Sequence, residues 1–238
     1  MSARVALEDL KTFANKGRVS DLARFYKTAP GEYGEGDLFL GGSVPQTRFV
    51  AKKHQNLELP EIEKLFNSPF HEARLCAAII LNLQFKAAKK TQDRKKIFDF
   101  YLKQVRAERV NNWDIVDVSA PWMGVYLTEV KDPMALLIKF AKSKSLWQRR
   151  VSIILTFALI RDGDLAPTIV ISKLLLKDDQ DLIHKAVGWM LRELGKKDVM
   201  LLRKFLTDHS HQMPRTMLRY SIEKLPEHER KKWLVESR

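Results

Sequence analysis

From residue 60 onward, apolar residues return every third or fourth position in successive blocks, and each block is opened or closed by proline, aspartate, serine or glycine. This spacing predicts helices over 60–67, 69–89, 91–107, 112–128, 133–142, 145–161, 164–176, 181–195, 198–209 and 214–225, with a last one from 226. The period-two alternation of a strand is absent. Ser145 and Asp181 read as helix N-caps 36 residues apart, and Asp164 and Asp198 as the caps of their partner helices at nearly the same interval. Sliding SLWQRRVSIILTFALI onto DLIHKAVGWMLREL superimposes the apolar stripes, and FHEARLCAAIILNL fits the same frame with Arg74 over Arg150. Two antiparallel helices per unit at such a period point to an all-α fold, an α-solenoid of HEAT-like repeats whose inner helices line a concave face.

The first 45 residues break the pattern, with two short helices followed by the glycine-rich and acidic stretch PGEYGEGDLFLGGSVP. A phosphate loop would need a preceding strand and a following Gly-Lys-Ser/Thr, and Glu32, Glu35 and Asp37 would repel phosphate. The stretch therefore reads as a structured loop capping the first repeat of a single domain that spans 1–238.

A hydrophobic content of 45% over 238 residues is enough to bury a continuous core. The lone cysteine, Cys76, rules out an intramolecular disulfide or a paired-cysteine metal site, and its place in ARLCAAIILNL makes it core. The N-terminus lacks the apolar stretch of a signal peptide, and the run 151–160 is too short to span a bilayer, so a cytoplasmic protein is expected. Charge changes the picture more. Of a formal net +13, the stretch from Lys131 to Arg238 holds 22 basic and 13 acidic residues, a net +9, and the part before it the remaining +4. Such an excess calls for an anionic partner.

The chemistry narrows from there. His54, His71, His184, His209, His211 and His228 are scattered without metal-site spacing, and serine-hydrolase and nucleotide-binding motifs are missing, so neither metal nor cofactor is expected. In ERVNNWDIVDVSAPW, Trp113 and Asp117 lie one helical turn apart on one face. Taken alone, that pair fits an indole packed between repeats and a carboxylate bonding a neighbouring helix. Arg149 and Arg150 in LWQRRVSI, and Trp189 in HKAVGWMLRELGK, read individually as a solvated face and a core residue. Together they also fit a cationic groove that takes a phosphate backbone on arginine, lays indoles against a nucleotide and leaves one carboxylate for reaction.

WDIVD, WQRR and IHKAVGWMLRE, with GDLFLGGSVPQTR and MPRTMLRYSIEKLP flanking them, resemble the bacterial AlkD-like alkylpurine DNA glycosylases built from HEAT-like repeats, across most of residues 36–225. That resemblance implies Asp117 as the catalytic carboxylate, Trp113 and Trp189 as contacts to the lesion nucleotide, and Arg150, or Arg149 if the register slips by one, as the phosphate ligand. It further implies hydrolysis of the glycosidic bond of cationic N3- or N7-alkylated purines in duplex DNA by a monomer with no obligate protein partner. No lysine accompanies WDIVD, so a monofunctional enzyme that leaves an abasic site is expected. The alternatives are a non-catalytic nucleic-acid-binding repeat protein and a protein-interaction scaffold.

Overall fold

The structure, a computed structural model, describes residues 1–236. Its α-helices are α1 (Ala3–Lys11), α2 (Lys16–Phe25), α3 (Val44–Lys53), α4 (Leu59–Phe66), α5 (His71–Ala87), α6 (Thr91–Arg106), α7 (Trp113–Met123), α8 (Met134–Ala141), α9 (Leu146–Asp162), α10 (Ala166–Leu174), α11 (Asp181–Lys197), α12 (Val199–His209), α13 (Arg215–Ser221) and α14 (Glu227–Glu236), with 3-10 turns at Gly124–Glu129 and Ser210–Gln212. Among the described residues no strand forms; Leu38 and Phe70 make one isolated parallel bridge. None of these helices is long and apolar enough to cross a membrane.

The packing divides into two compact units, Met1–Met123 and Gly124–Arg238. In the first, α5 touches α3, α4, α6 and α7, and it is apolar nearly all round, as a helix enclosed by others must be. In the second, α9 holds that position against α8, α10 and α11, and α11 packs in turn on α12 and α13. Within each unit, first helices stack on first helices (α4 on α6, α8 on α10) and second on second (α5 on α7, α9 on α11, α11 on α13), which is the layering of HEAT-like repeats. Cys76 is fully enclosed in α5, and burial pushes its thiol up to about 12.

The repeat register differs from the sequence expectation by one residue. Ser145 caps α9, its hydroxyl accepting from the Gln148 amide, but the cap of α11 is Gln180, with Asp181 already helical. The two helices therefore start 35 residues apart, at 146 and 181. Asp198 caps α12 as expected, whereas Asp164 sits one residue before the Leu165 cap of α10. A polar contact fixes the new frame. Arg74, Arg149 and His184 are each the fourth residue of their helix, and each side chain bonds the carbonyl six residues earlier, on Ser68, Ser143 and Asp178. Arg74 thus matches Arg149, and Arg150 occupies the next position along.

Two other differences have local causes. The helix expected over 112–128 stops at Met123, because Gly124 lies so close to α9 that a Cβ would stand 2.3 Å from the Leu155 carbonyl oxygen. The sequence also predicts no element over 46–59, whereas α3 runs from Val44 to Lys53, opened by a capping box between Ser43 and Gln46.

Gly188, next to Trp189 in α11, is where α13 comes closest: a Cβ would stand 2.4 Å from Tyr220 Cβ and 2.6 Å from the Met217 carbonyl oxygen. Helix propensity alone would make Gly188→Ala stabilising by about 1 kcal/mol. Backbone cannot yield to an added methyl, so the substitution is expected to destabilise by about 1–3 kcal/mol, read as a lower denaturant midpoint. A midpoint at or above that of the wild type would refute the close approach.

Candidate active site

The first turn of α7 is tied down on several sides. The buried Asn112 side chain accepts from the Trp113 amide at 2.8 Å, and Asp114 accepts from the Ile115 amide at 2.8 Å. Trp113 is half-buried and stacks on Tyr26 at 5.6 Å between centroids and 21° between planes, with Phe25 edge-on at 5.7 Å. Behind it, Tyr26 donates to Asp114 at 3.0 Å, and His71 lies between Asp114 (2.8 Å from Nε2) and Asp37 (3.2 Å from Nδ1). Arg74 closes the cluster by donating to Asp37 at 2.5 Å, Asn111 at 3.0 Å and Ser68 at 2.8 Å.

Burial opposes charge on His71, but the Asp114 carboxylate, then Asp37, outweigh it and raise the imidazole to about 9. Burial would also raise Asp37; the bond from His71 and the charge of Arg74 instead hold it below the usual carboxylate range. A histidine pKa raised on folding adds stability that is complete below about 6.5 and lost as pH climbs through about 9. The denaturant midpoint of the wild type is therefore expected to fall between pH 6.5 and 9, with His71→Gln flattening that slope. Equal slopes in the two proteins would place the titration elsewhere.

Asp117, one turn beyond Trp113, lines a cleft of about 230 Å³ between α3, α5 and α7 with Arg48, Asn82, Lys86, Pro121 and Trp122. Pro121 has no N–H to give the Asp117 carbonyl one turn earlier, so the helix is loosened at this wall. Asn82 donates to the Val118 carbonyl at 2.7 Å, while its buried amide oxygen has no partner among the described residues. Lys86 Nζ rests 3.4 Å above the Trp122 ring centroid. Burial, then the charge of Arg48, lower the Lys86 ammonium from its ordinary value. On the floor side, Tyr101 is raised chiefly by burial and further by the charge of Asp117. Arg48, Lys86 and Trp122 were not singled out from the sequence, since α3 and α5 bring together residues 38 positions apart that share no periodicity.

The remaining expected residues lie in the second unit. Trp189 on α11 is half-buried and tilted against Phe157 of α9 at 6.2 Å. Arg149, expected as an alternative phosphate ligand, makes several contacts within the fold. It is bidentate to Asp178, with Nε at 2.6 Å and Nη2 at 3.4 Å, and Nη1 reaches the Ser143 and Lys144 carbonyls. Arg150 is buried and donates to the Leu182 carbonyl in the first turn of α11. Among the described residues no group of three or more His, Cys, Asp or Glu could hold a metal ion.

The profile of the DNA alkylation repair enzyme family matches residues 6–225. Among solved structures, one described as a predicted DNA alkylation repair enzyme from Enterococcus faecalis superimposes with a TM-score of 0.71 at 15% identity, covering 90% of this chain and 97% of its own. Another, from a family described as related to the HEAT-like repeat DNA glycosylases with affinity for branched DNA structures, gives 0.58 at 14% identity and covers 100% of this chain and 96% of its own. No protein of curated function matches the sequence. At these identities the two structures speak for the fold.

Proposed function

Since the chain belongs to the DNA alkylation repair enzyme family, we propose that it is a monofunctional glycosylase that hydrolyses the N-glycosidic bond of cationic N3- or N7-alkylated purines in duplex DNA. One observation carries this reading: a carboxylate, Asp117, lines a cleft otherwise furnished with two cations and an indole. An alkylated purine of this kind leaves as a neutral base, so the bond is already weak and positive charge gathers on the sugar. A fixed carboxylate stabilises that oxocarbenium character and orients or deprotonates the attacking water. Trp113 and Trp189 are assigned the lesion-nucleotide contacts, since a desolvated indole face against a cation contributes about 0.5–2 kcal/mol. Arg150 is assigned a phosphate contact. Its guanidinium is already seated at the Leu182 carbonyl, so little rotamer freedom would be lost on binding.

The test is incubation with a duplex carrying a single 7-methylguanine. Free 7-methylguanine should appear, and the strand should break only after alkali, since hydrolysis without a lyase step leaves an intact backbone. The second reading, a non-catalytic nucleic-acid binder, draws on the fold neighbour with affinity for branched DNA. Tight binding to duplex or branched DNA without base release would select it.

A further inference from the structure

Arg48 and Lys86 are the two cations of the Asp117 cleft. Both are exposed, and no carboxylate pairs with either among the described residues. Unlike the cations scattered singly over the surface, these two line one cleft together with a carboxylate. Two like charges lining one small cleft repel, and the lowered Lys86 records part of that cost. The fold nevertheless keeps them there: Trp122 carries the Lys86 ammonium on its face, and the Ser43–Gln46 capping box fixes the first turn of α3, just ahead of Arg48. An anion entering the cleft relieves the repulsion.

The anion available to a protein of this family is a phosphodiester. A nucleotide's phosphate and its anomeric carbon are a few bonds apart, so a phosphate taken by Arg48 and Lys86 leaves the sugar of the same nucleotide beside the carboxylate in the same cleft. We infer that Arg48 and Lys86 form a phosphate-binding subsite that seats the backbone of the lesion-bearing strand against Asp117. The inference rests on the glycosylase reading for the word lesion, but the phosphate contact itself does not require base release. Neither residue is a general acid or base. Their work is positioning, which acts through binding and through the geometry at the anomeric carbon.

The experiment uses the full chain and a duplex with one tetrahydrofuran abasic analogue, in which each flanking phosphate in turn is replaced by an uncharged methylphosphonate. At one flanking position the neutral linkage should weaken binding by the wild type roughly tenfold, as expected for loss of a charge-assisted contact. The same replacement should leave binding by the Arg48→Met, Lys86→Met double variant unchanged, since the contact is already gone. Lys86→Arg in an Arg48 background should restore the sensitivity. Equal weakening of wild type and double variant at every position overturns the subsite, as does a double variant that binds like the wild type or a wild type that does not bind. Release of 7-methylguanine is measured in parallel. A protein showing the coupling without release keeps the subsite and loses the glycosylase assignment, and release without coupling does the reverse.

Discussion

Asp117→Asn is expected to lose roughly 10²–10³-fold in the single-turnover rate of base release while binding duplex DNA about as well as the wild type, the size of effect found when one charge-stabilising group is removed from a preorganised site. The substitution keeps the shape of the side chain, so the cleft formed with Arg48, Asn82, Lys86 and Trp122 should retain its volume. What changes is charge. The amide can still touch water, but it cannot accept a proton from it or offset a developing cation at the anomeric carbon. The charge of Asp117 also bears on the buried Tyr101, so the variant should bring the Tyr101 phenol closer to its ordinary value. Release at the wild-type rate by a variant that folds and binds duplex DNA as the wild type does would show that the carboxylate has no catalytic role.

Arg74→Met is expected to destabilise the protein by about 3–5 kcal/mol, the usual cost of removing one partner from a buried ion pair. Arg74 and Asp37 expose only 5% and 3% of their side chains, and the arginine also satisfies Asn111 and the Ser68 carbonyl. Methionine fills much of the volume but leaves Asp37 charged and buried beside Asn112, with only the His71 imidazolium that it must share with Asp114. Since whole proteins are stable by only about 5–15 kcal/mol, such a loss would be conspicuous in a denaturant titration. Adding Asp37→Asn to the variant should recover part of it, as the second substitution removes the stranded charge. A loss under about 1 kcal/mol would mean that this cluster does not hold the first unit together.

Helical periodicity made the fold class legible, because each second-layer helix must present apolar residues on nearly every side: α5, α9 and most of α11 are visible in the sequence as long apolar blocks. The α3 helix was not, since Val44 and Phe49 are exposed and the apolar stripe is weak; the S-x-x-Q signature of its capping box was the signal that could have found it. The chemistry was legible in part. WDIVD gave Trp113 and Asp117 as neighbours on one face, and they do share the first turns of α7. Which of Arg149 and Arg150 matches Arg74 was beyond the sequence, because successive helical residues point roughly 100° apart and a one-residue shift of register exchanges their places. The partners of Asp37 and the cations around Asp117 depend on which helices meet, and nothing in local spacing encodes that.

The glycine-rich loop between α2 and α3 is really two pieces of chain. Ala29 to Gly36 is largely exposed, with Gly31 and Gly36 in left-handed conformations that crowd nothing. From Asp37 onward the backbone is pinned: Asp37 meets Arg74 and His71, Leu38 bridges Phe70, and the Leu40 and Gly41 amides both donate to the buried Glu72 carboxylate. Gly41 is itself irreplaceable there, with φ at 92° and the Asn15 carbonyl oxygen 2.1 Å from where a Cβ would stand. Over evolutionary time the first piece, apart from Gly34, which is buried against the Tyr26 carbonyl, is free to lengthen, shorten or drift, and its exposed tip near Gly31 is the natural place to splice in a tag or accept a protease cut. The second piece is frozen in its backbone path, so related chains that differ greatly in loop length should still agree at the aspartate and the glycine that fix it.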